Sequence, residues 1–170
     1  MPDSTFPRVA TLTISDTRSS RDDESGRLLG ELFARAGFRV VEHVIVPDEI
    51  DIIQRQILAF VSRSDIDAVV SNGGTGITPR DCTFEAIAPL LDKTLDGFGE
   101  AFRRLSWEQV GARSVLSRAL AGSLGGKFVA ALPGSPAAVR LAVDALLVPV
   151  LAHATSLLTG RTAHDETPPC

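Results

Sequence analysis

DAVVSNGGTG, residues 67–76, is an apolar run that ends in glycines. Asp67 to Ser71 has the length and content of a strand, and Asn72 to Gly76 reads as the tight loop that leaves it. The same alternation continues outward. Upstream, Arg8 to Ser15 (RVATLTIS) is β-branched and apolar on both faces, which suits a buried parallel strand. Ser25 to Ala36 follows as a helix, with Leu28, Leu29, Leu32, Phe33 and Ala36 at helical spacing and Gly37 in the C′ position. Phe38 to Val46 is a strand ended by Pro47. Glu49 to Val61 is a helix that turns Ile52, Ile53, Ile57, Phe60 and Val61 inward. Downstream, Thr83 to Leu91 is a helix, Lys127 to Leu132 a strand and Ala137 to Leu158 a long helix. The segment 92–126 interrupts the alternation and is expected to be a helix-rich insertion. Strands alternating with helices imply βαβ units, so the fold class is α/β: a mostly parallel sheet with helices on both faces.

Composition narrows the function. The chain has 170 residues, 44% hydrophobic and 22% charged, with a net charge of −4. One domain over 8–160 is expected, between flexible ends at 1–7 and 161–170. Net acidity argues against a nucleic-acid surface, and eight Phe with one Trp and no Tyr offer few stacking platforms. Two cysteines, Cys82 and Cys170, support no disulfide framework. Neither a secretory leader nor a membrane span is read: the apolar region 137–158 carries Arg140, Asp144, His153 and Ser156. A cytoplasmic protein without membrane partners is the expectation. Of the 17 basic residues only Lys93 and Lys127 are lysines, so phosphates would fall to arginine, backbone amides and metal.

In doubly wound folds, ligands sit beyond the carboxyl ends of the strands. The loops 15–23, 47–48, 72–81 and 133–136 should therefore converge. Gly73-Gly74-Thr75-Gly76 could curl its amides round an anion, but it is neither a Walker A loop nor G-x-G-x-x-G, and a plain tight turn fits it as well. Ser135 suits an N-cap and Pro136 the N1 position, a capped helix that could also receive an anion. Asp48 and Asp81 each suit a cap or turn. Together near a phosphate they would need a bridging cation such as Mg²⁺. Asp16, Thr17 and Arg18 join the same edge, with Arg80, Arg103 and Arg118 available for phosphate. Cys82 reads as a small buried thiol, since no histidine adjoins it.

The run Ser71–Asp81 (SNGGTGITPRD) is similar to the signature loop of the MoaB/MogA molybdopterin-binding family. TISDTR at 13–18, Ser25-Gly26, VPDE at 46–49, GFGE at 97–100, LSR at 116–118 and LPGSP at 132–136 agree in order. The 97–108 stretch is closer to the MoaB branch. The resemblance implies a three-layer α/β sandwich that assembles as homotrimers or hexamers. It implies adenylation of molybdopterin by MgATP, releasing pyrophosphate; the alternative is a catalytically silent MoaB-type binding protein. The family's acidic positions fall on Asp48 and Asp81, which would also hold Mg²⁺, partly through water. Nucleotide and pterin contacts would come from Asp16, Asn72, Gly73, Gly74, Thr75, Gly76, Gly99, Glu100, Ser117, Arg118, Pro133, Gly134 and Ser135. Cys82, Phe84 and Asn72 stand where the family commonly has Val, Pro and Thr.

Overall fold

The computed structural model describes residues 6–160; the expected flexible tail at 161–170 and residues 1–5 of the N-terminal segment lie outside them. Phe6 is described, and its ring packs edge-on against Phe38 at 5.8 Å between centroids. The first half of the chain is β1 (Arg8–Ile14), α1 (Glu24–Arg35), β2 (Arg39–Val46), α2 (Ile50–Val61) and β3 (Ala68–Asn72). There follow a short α3 (Thr83–Ile87), β4 (Lys93–Thr94), α4 (Asp96–Val110), β5 (Leu120–Leu124), β6 (Lys127–Leu132), α5 (Pro136–Ala142) and α6 (Val148–Leu158). A π-helical turn, Val143–Leu147, joins the last two into one rod.

Six strands form one sheet in the order β2-β1-β3-β6-β5-β4. The pairs β1–β2, β1–β3 and β3–β6 are parallel, while β5 pairs antiparallel with both β6 and β4. Two apolar clusters cover the faces. Leu29, Leu32 and Phe33 of α1 meet Phe102 of α4, Val139 of α5 and Leu151 of α6 on one face. Ile53, Ile57 and Phe60 of α2 meet Ala86 and Ile87 of α3 on the other. Three layers result. From β1 the chain crosses to β2 on one side and then to β3 on the other, which places a topological switch point at the carboxyl ends of β1 and β3.

The segment 92–126 is helix-rich as expected, with α4 and a 3-10 helix at Gly111–Leu116, but it also holds β4 and β5, which extend the sheet. The expected helix 83–91 is also shorter, because Pro89 lies within a 3-10 turn, Ala88–Leu90, that follows α3. The rod Pro136–Leu158 is 23 residues and contains an 18-residue window of mean hydropathy 1.8, long and apolar enough to cross a membrane by length and composition. Here one side of it is committed to the sheet: Val139, Val143, Leu147 and Leu151 are fully buried.

β4 reaches β5 only because residue 122 is glycine: a Cβ there would stand 2.3 Å from the Lys93 carbonyl oxygen. Gly122→Ala should therefore push β4 off the edge. Faster hydrogen exchange at the Asp92 and Leu95 amides, which donate to Ser123 and Ala121 carbonyls, with the β3 amides still protected, would check this.

Candidate functional site

Beyond the switch point lies a cavity of about 300 Å³, lined from all four loops expected to converge. The first supplies Ser15 and Arg18, the second Asp48, the third Asn72, Gly73, Gly74, Arg80 and Asp81, and the fourth Gly134. Close backbone contact makes the floor. Gly73 has φ +103°, and a Cβ on it would lie 2.1 Å from the Ile14 carbonyl oxygen. Its N–H donates to the Leu132 carbonyl at 2.9 Å, which ties the glycine loop to the end of β6. Ser25, at the start of α1, donates its hydroxyl to the Gly134 carbonyl at 2.6 Å and fixes the fourth loop.

The carboxylates meet on the rim. The Asp16 N–H donates to Asp48 Oδ2 at 3.1 Å, and the Asp48 N–H donates to Asp16 Oδ1 at 3.0 Å. Arg80, mostly exposed, pairs with Asp16 Oδ2 at 2.7 Å. That guanidinium, together with the Asp48 N–H, holds the Asp16 carboxyl below its ordinary range. Asp48 moves the other way: burial raises its carboxyl, and the negative charges of Asp16 and Asp81 add to this. Asp81 closes its own turn, accepting at Oδ2 from the Thr78 N–H at 2.8 Å and the Thr78 hydroxyl at 2.7 Å. Cys82 precedes α3 half-buried; burial, and then the charge of Asp48, push its thiol up, so it stays protonated.

No cluster of three or more His, Cys, Asp or Glu side chains able to hold a metal occurs among the described residues.

The other expected residues divide. Ser135 is the N-cap of α5, accepting from the Ala138 N–H at 3.2 Å, with Pro136 next to it in the first turn. Thr75 is buried, and its carbonyl accepts from the Arg118 N–H at 2.9 Å. Arg118 serves as a strap rather than a free phosphate ligand. Its Nε donates to the Gly76 carbonyl at 2.8 Å, it pairs with Glu85, and its guanidinium lies 5.4 Å from the Phe84 ring centre. Gly99, Glu100, Ser117 and Arg118 line a neighbouring cavity of about 430 Å³ between α3, α4 and β5, and not the first one. Lys127 donates to the Arg63 and Ile66 carbonyls, away from the site.

Sequence reasoning missed the buried polar layer beneath the cavity. Asp23 is 3% exposed and caps α1 by accepting from the Gly26 N–H at 2.9 Å. Its other oxygen accepts from the Thr13 hydroxyl at 2.7 Å and from His43 Nε2 at 2.8 Å. The pattern Asp23-x-Ser25-Gly26 before an apolar helix is a legible cap signal. The partners, on β1 and β2, are not legible from spacing.

Residues 10–153 match the family model described as a probable molybdopterin binding domain. Molybdenum cofactor biosynthesis protein B of Bacillus cereus is 49% identical over 149 residues, covering 87% of this chain and 88% of that protein. The Bacillus subtilis protein of the same name is 46% identical, covering 86% of each. Among solved structures, a molybdenum cofactor biosynthesis protein B superposes with TM-score 0.90 at 46% identity, covering 93% of this chain and 99% of that one. The tungsten cofactor synthesizing protein MoaB from Pyrococcus furiosus gives 0.79 at 38% identity, covering 88% and 98%.

A carboxyl raised on folding binds its proton more tightly in the folded chain, so stability falls as pH rises through its titration. Asp48→Asn removes that penalty and can keep the hydrogen bond from the Asp16 N–H. Its melting temperature should exceed that of the parent at neutral pH and converge with it on acidification, as thermal melts between about pH 3 and 7 would read.

Proposed function

The chain belongs to the molybdopterin-binding domain family of molybdenum cofactor biosynthesis, and we propose that within it this protein adenylates molybdopterin with MgATP. The observation that carries the reading is the meeting of Asp48 and Asp81 with the Gly73–Gly74 loop in one cavity. Carboxylates repel phosphate, so such a pairing makes chemical sense where a cation accompanies the phosphates. Burial of Asp48 beside Asp16 and Asp81 is a charge deficit of that kind.

The terminal phosphate of molybdopterin attacks the α-phosphorus of ATP. A new P–O bond forms, the bond from the α-phosphorus to the bridging oxygen breaks, and pyrophosphate leaves. The attacking oxygen is already anionic and needs little general-base help, so catalysis is positioning and charge neutralisation. Asp81 and Asp48 would hold Mg²⁺, partly through water, and the ion would supply charge neutralisation to the phosphates. Arg80 and Arg18 stand at the rim to meet phosphate oxygens, and Asp16 holds Arg80 there. The Gly73–Gly74 loop presents backbone to the nucleotide phosphates; Pro133, Gly134 and the capped start of α5 receive the pterin phosphate.

The rod α5–α6 lies against the sheet, which supports a soluble, cytoplasmic protein. Between α4 and α6 runs an apolar groove lined by Leu95, Phe98, Leu146 and Val150, with a cavity of about 560 Å³, which supports self-association as trimers or hexamers.

Mixing the protein with molybdopterin and MgATP should yield adenylyl-molybdopterin and pyrophosphate. Binding of both substrates without product would favour the silent binding protein. Asp81→Asn should keep molybdopterin affinity while transfer falls by about 100-fold or more; unchanged turnover would remove Asp81 from the mechanism.

A further inference from the structure

Asn72 ends β3, is 1% exposed and lines the cavity. Its strand neighbour on β1 is Thr13. The Thr13 hydroxyl oxygen lies 2.7 Å from Asp23 Oδ2 and 3.1 Å from the near end of the Asn72 carboxamide. A hydroxyl has one proton to give. The carboxylate is nearer, and a charge-assisted bond is about twice as strong as a neutral one, so the proton goes to Asp23. The Thr13 oxygen is then an acceptor, and the group of Asn72 that faces it must donate. Only the NH₂ end can do so. The two ends of a carboxamide share one shape, and the hydrogen-bond network settles which is which.

The rest of the network points the same way. Thr11 Oγ1 lies 2.8 Å from His43 Nδ1, and His43 Nε2 lies 2.8 Å from Asp23 Oδ2. His43 donating through Nε2–H and accepting at Nδ1 from the Thr11 hydroxyl gives every atom in the chain one consistent role. Donors therefore run toward Asp23 from both sides: Thr11 to His43 to Asp23, and Asn72 to Thr13 to Asp23. The far end of the Asn72 amide has no partner among the described residues, yet no buried side-chain nitrogen or oxygen among them is left unpaired. That end opens on the cavity.

We infer that Asn72 presents its amide oxygen to the cavity as a fixed acceptor for an N–H or O–H group of the ligand, held there by Thr13, Asp23 and His43. Asn72 is the specificity-determining residue, and the other three are positioning residues. The ligand part rests on the reading of the cavity as the substrate site; the orientation of the amide does not. An acceptor beside the glycine loop repels a bare phosphate oxygen. It therefore separates the phosphate path from the place where a hydroxyl or amine of the ligand sits.

Two measurements test this. In protein with ¹⁵N-labelled asparagine, the Asn72 side-chain NH₂ should exchange with water about tenfold more slowly than an exposed asparagine amide. Thr13→Val should abolish the protection and Thr13→Ser should keep it. Exchange at the exposed rate in the parent protein would overturn the orientation, whatever the protein binds. The second measurement compares Asn72→Leu with the parent for ATP, 6-hydroxymethylpterin and tripolyphosphate, the last having no amine or hydroxyl to offer. ATP or the pterin should lose about three- to tenfold in affinity while tripolyphosphate holds. Equal loss for tripolyphosphate, or no loss for any probe, overturns the acceptor role. Failure of all three to bind the parent protein counts against the adenylation reading, and the exchange rates then still decide the orientation.

Discussion

Everything at the site depends on how closely three strand ends approach one another. Gly73 turns directly beneath the Ile14 carbonyl, and its Cα lies 3.2 Å from where a Cβ on Gly134 would stand. A side chain on Gly73 would overlap the Ile14 carbonyl, and one on Gly134 would crowd Gly73. The contact brings β1, β3 and β6 to one point, so that loops more than a hundred residues apart in sequence line a single small cavity. A wider spacing would leave Asp48 and Asp81 as turn residues on separate loops, facing no common cavity.

The cavity is assembled against its own electrostatics. Asp16 and Asp48 exchange backbone hydrogen bonds, which forces two carboxylates together, and only Asp16 has an arginine. Asp48 is left partly buried with two negative neighbours. Such a perturbed carboxyl in a cleft is a local cost to stability. It is borne by the apolar layers on the two sheet faces, and by the hydrogen-bonded network around the buried Asp23. Rigid support below and unbalanced charge above are different tasks, given to different residues.

Much of this was legible in the sequence because it is local. Helical spacing located α1 and α2, β-branched runs located β1 and β3, and Asp48 and Asp81 stand out beside the proline and glycines that end their strands. The strands β4 and β5 were not legible: Lys93–Thr94 is two residues long, and LAGSL has no β-branched residue. The polar layer was hidden for another reason. Thr11 meets His43, and Thr13 meets Asn72, through strand register, across gaps of 32 and 59 residues. Register is a property of the assembled sheet, and one sequence does not carry it. Arg118 illustrates the same limit. Its charge suggested phosphate, but its position beside the Gly76 carbonyl turns it into a brace.

The place of β6 carries a consequence for how the chain reaches this state. It lies mid-sheet, between β3 and β5, although it comes late in the sequence. Until residues 127–132 leave the ribosome, β3 has an open hydrogen-bonding edge, and the face that α5 and α6 share with α1 and α4 is only partly covered. A nascent chain ending anywhere before this point would expose both the edge and the apolar layer, which are templates for association. Long-range parallel pairing is also slow to form. Assembly of the sheet thus awaits the emergence of β6, its central late strand.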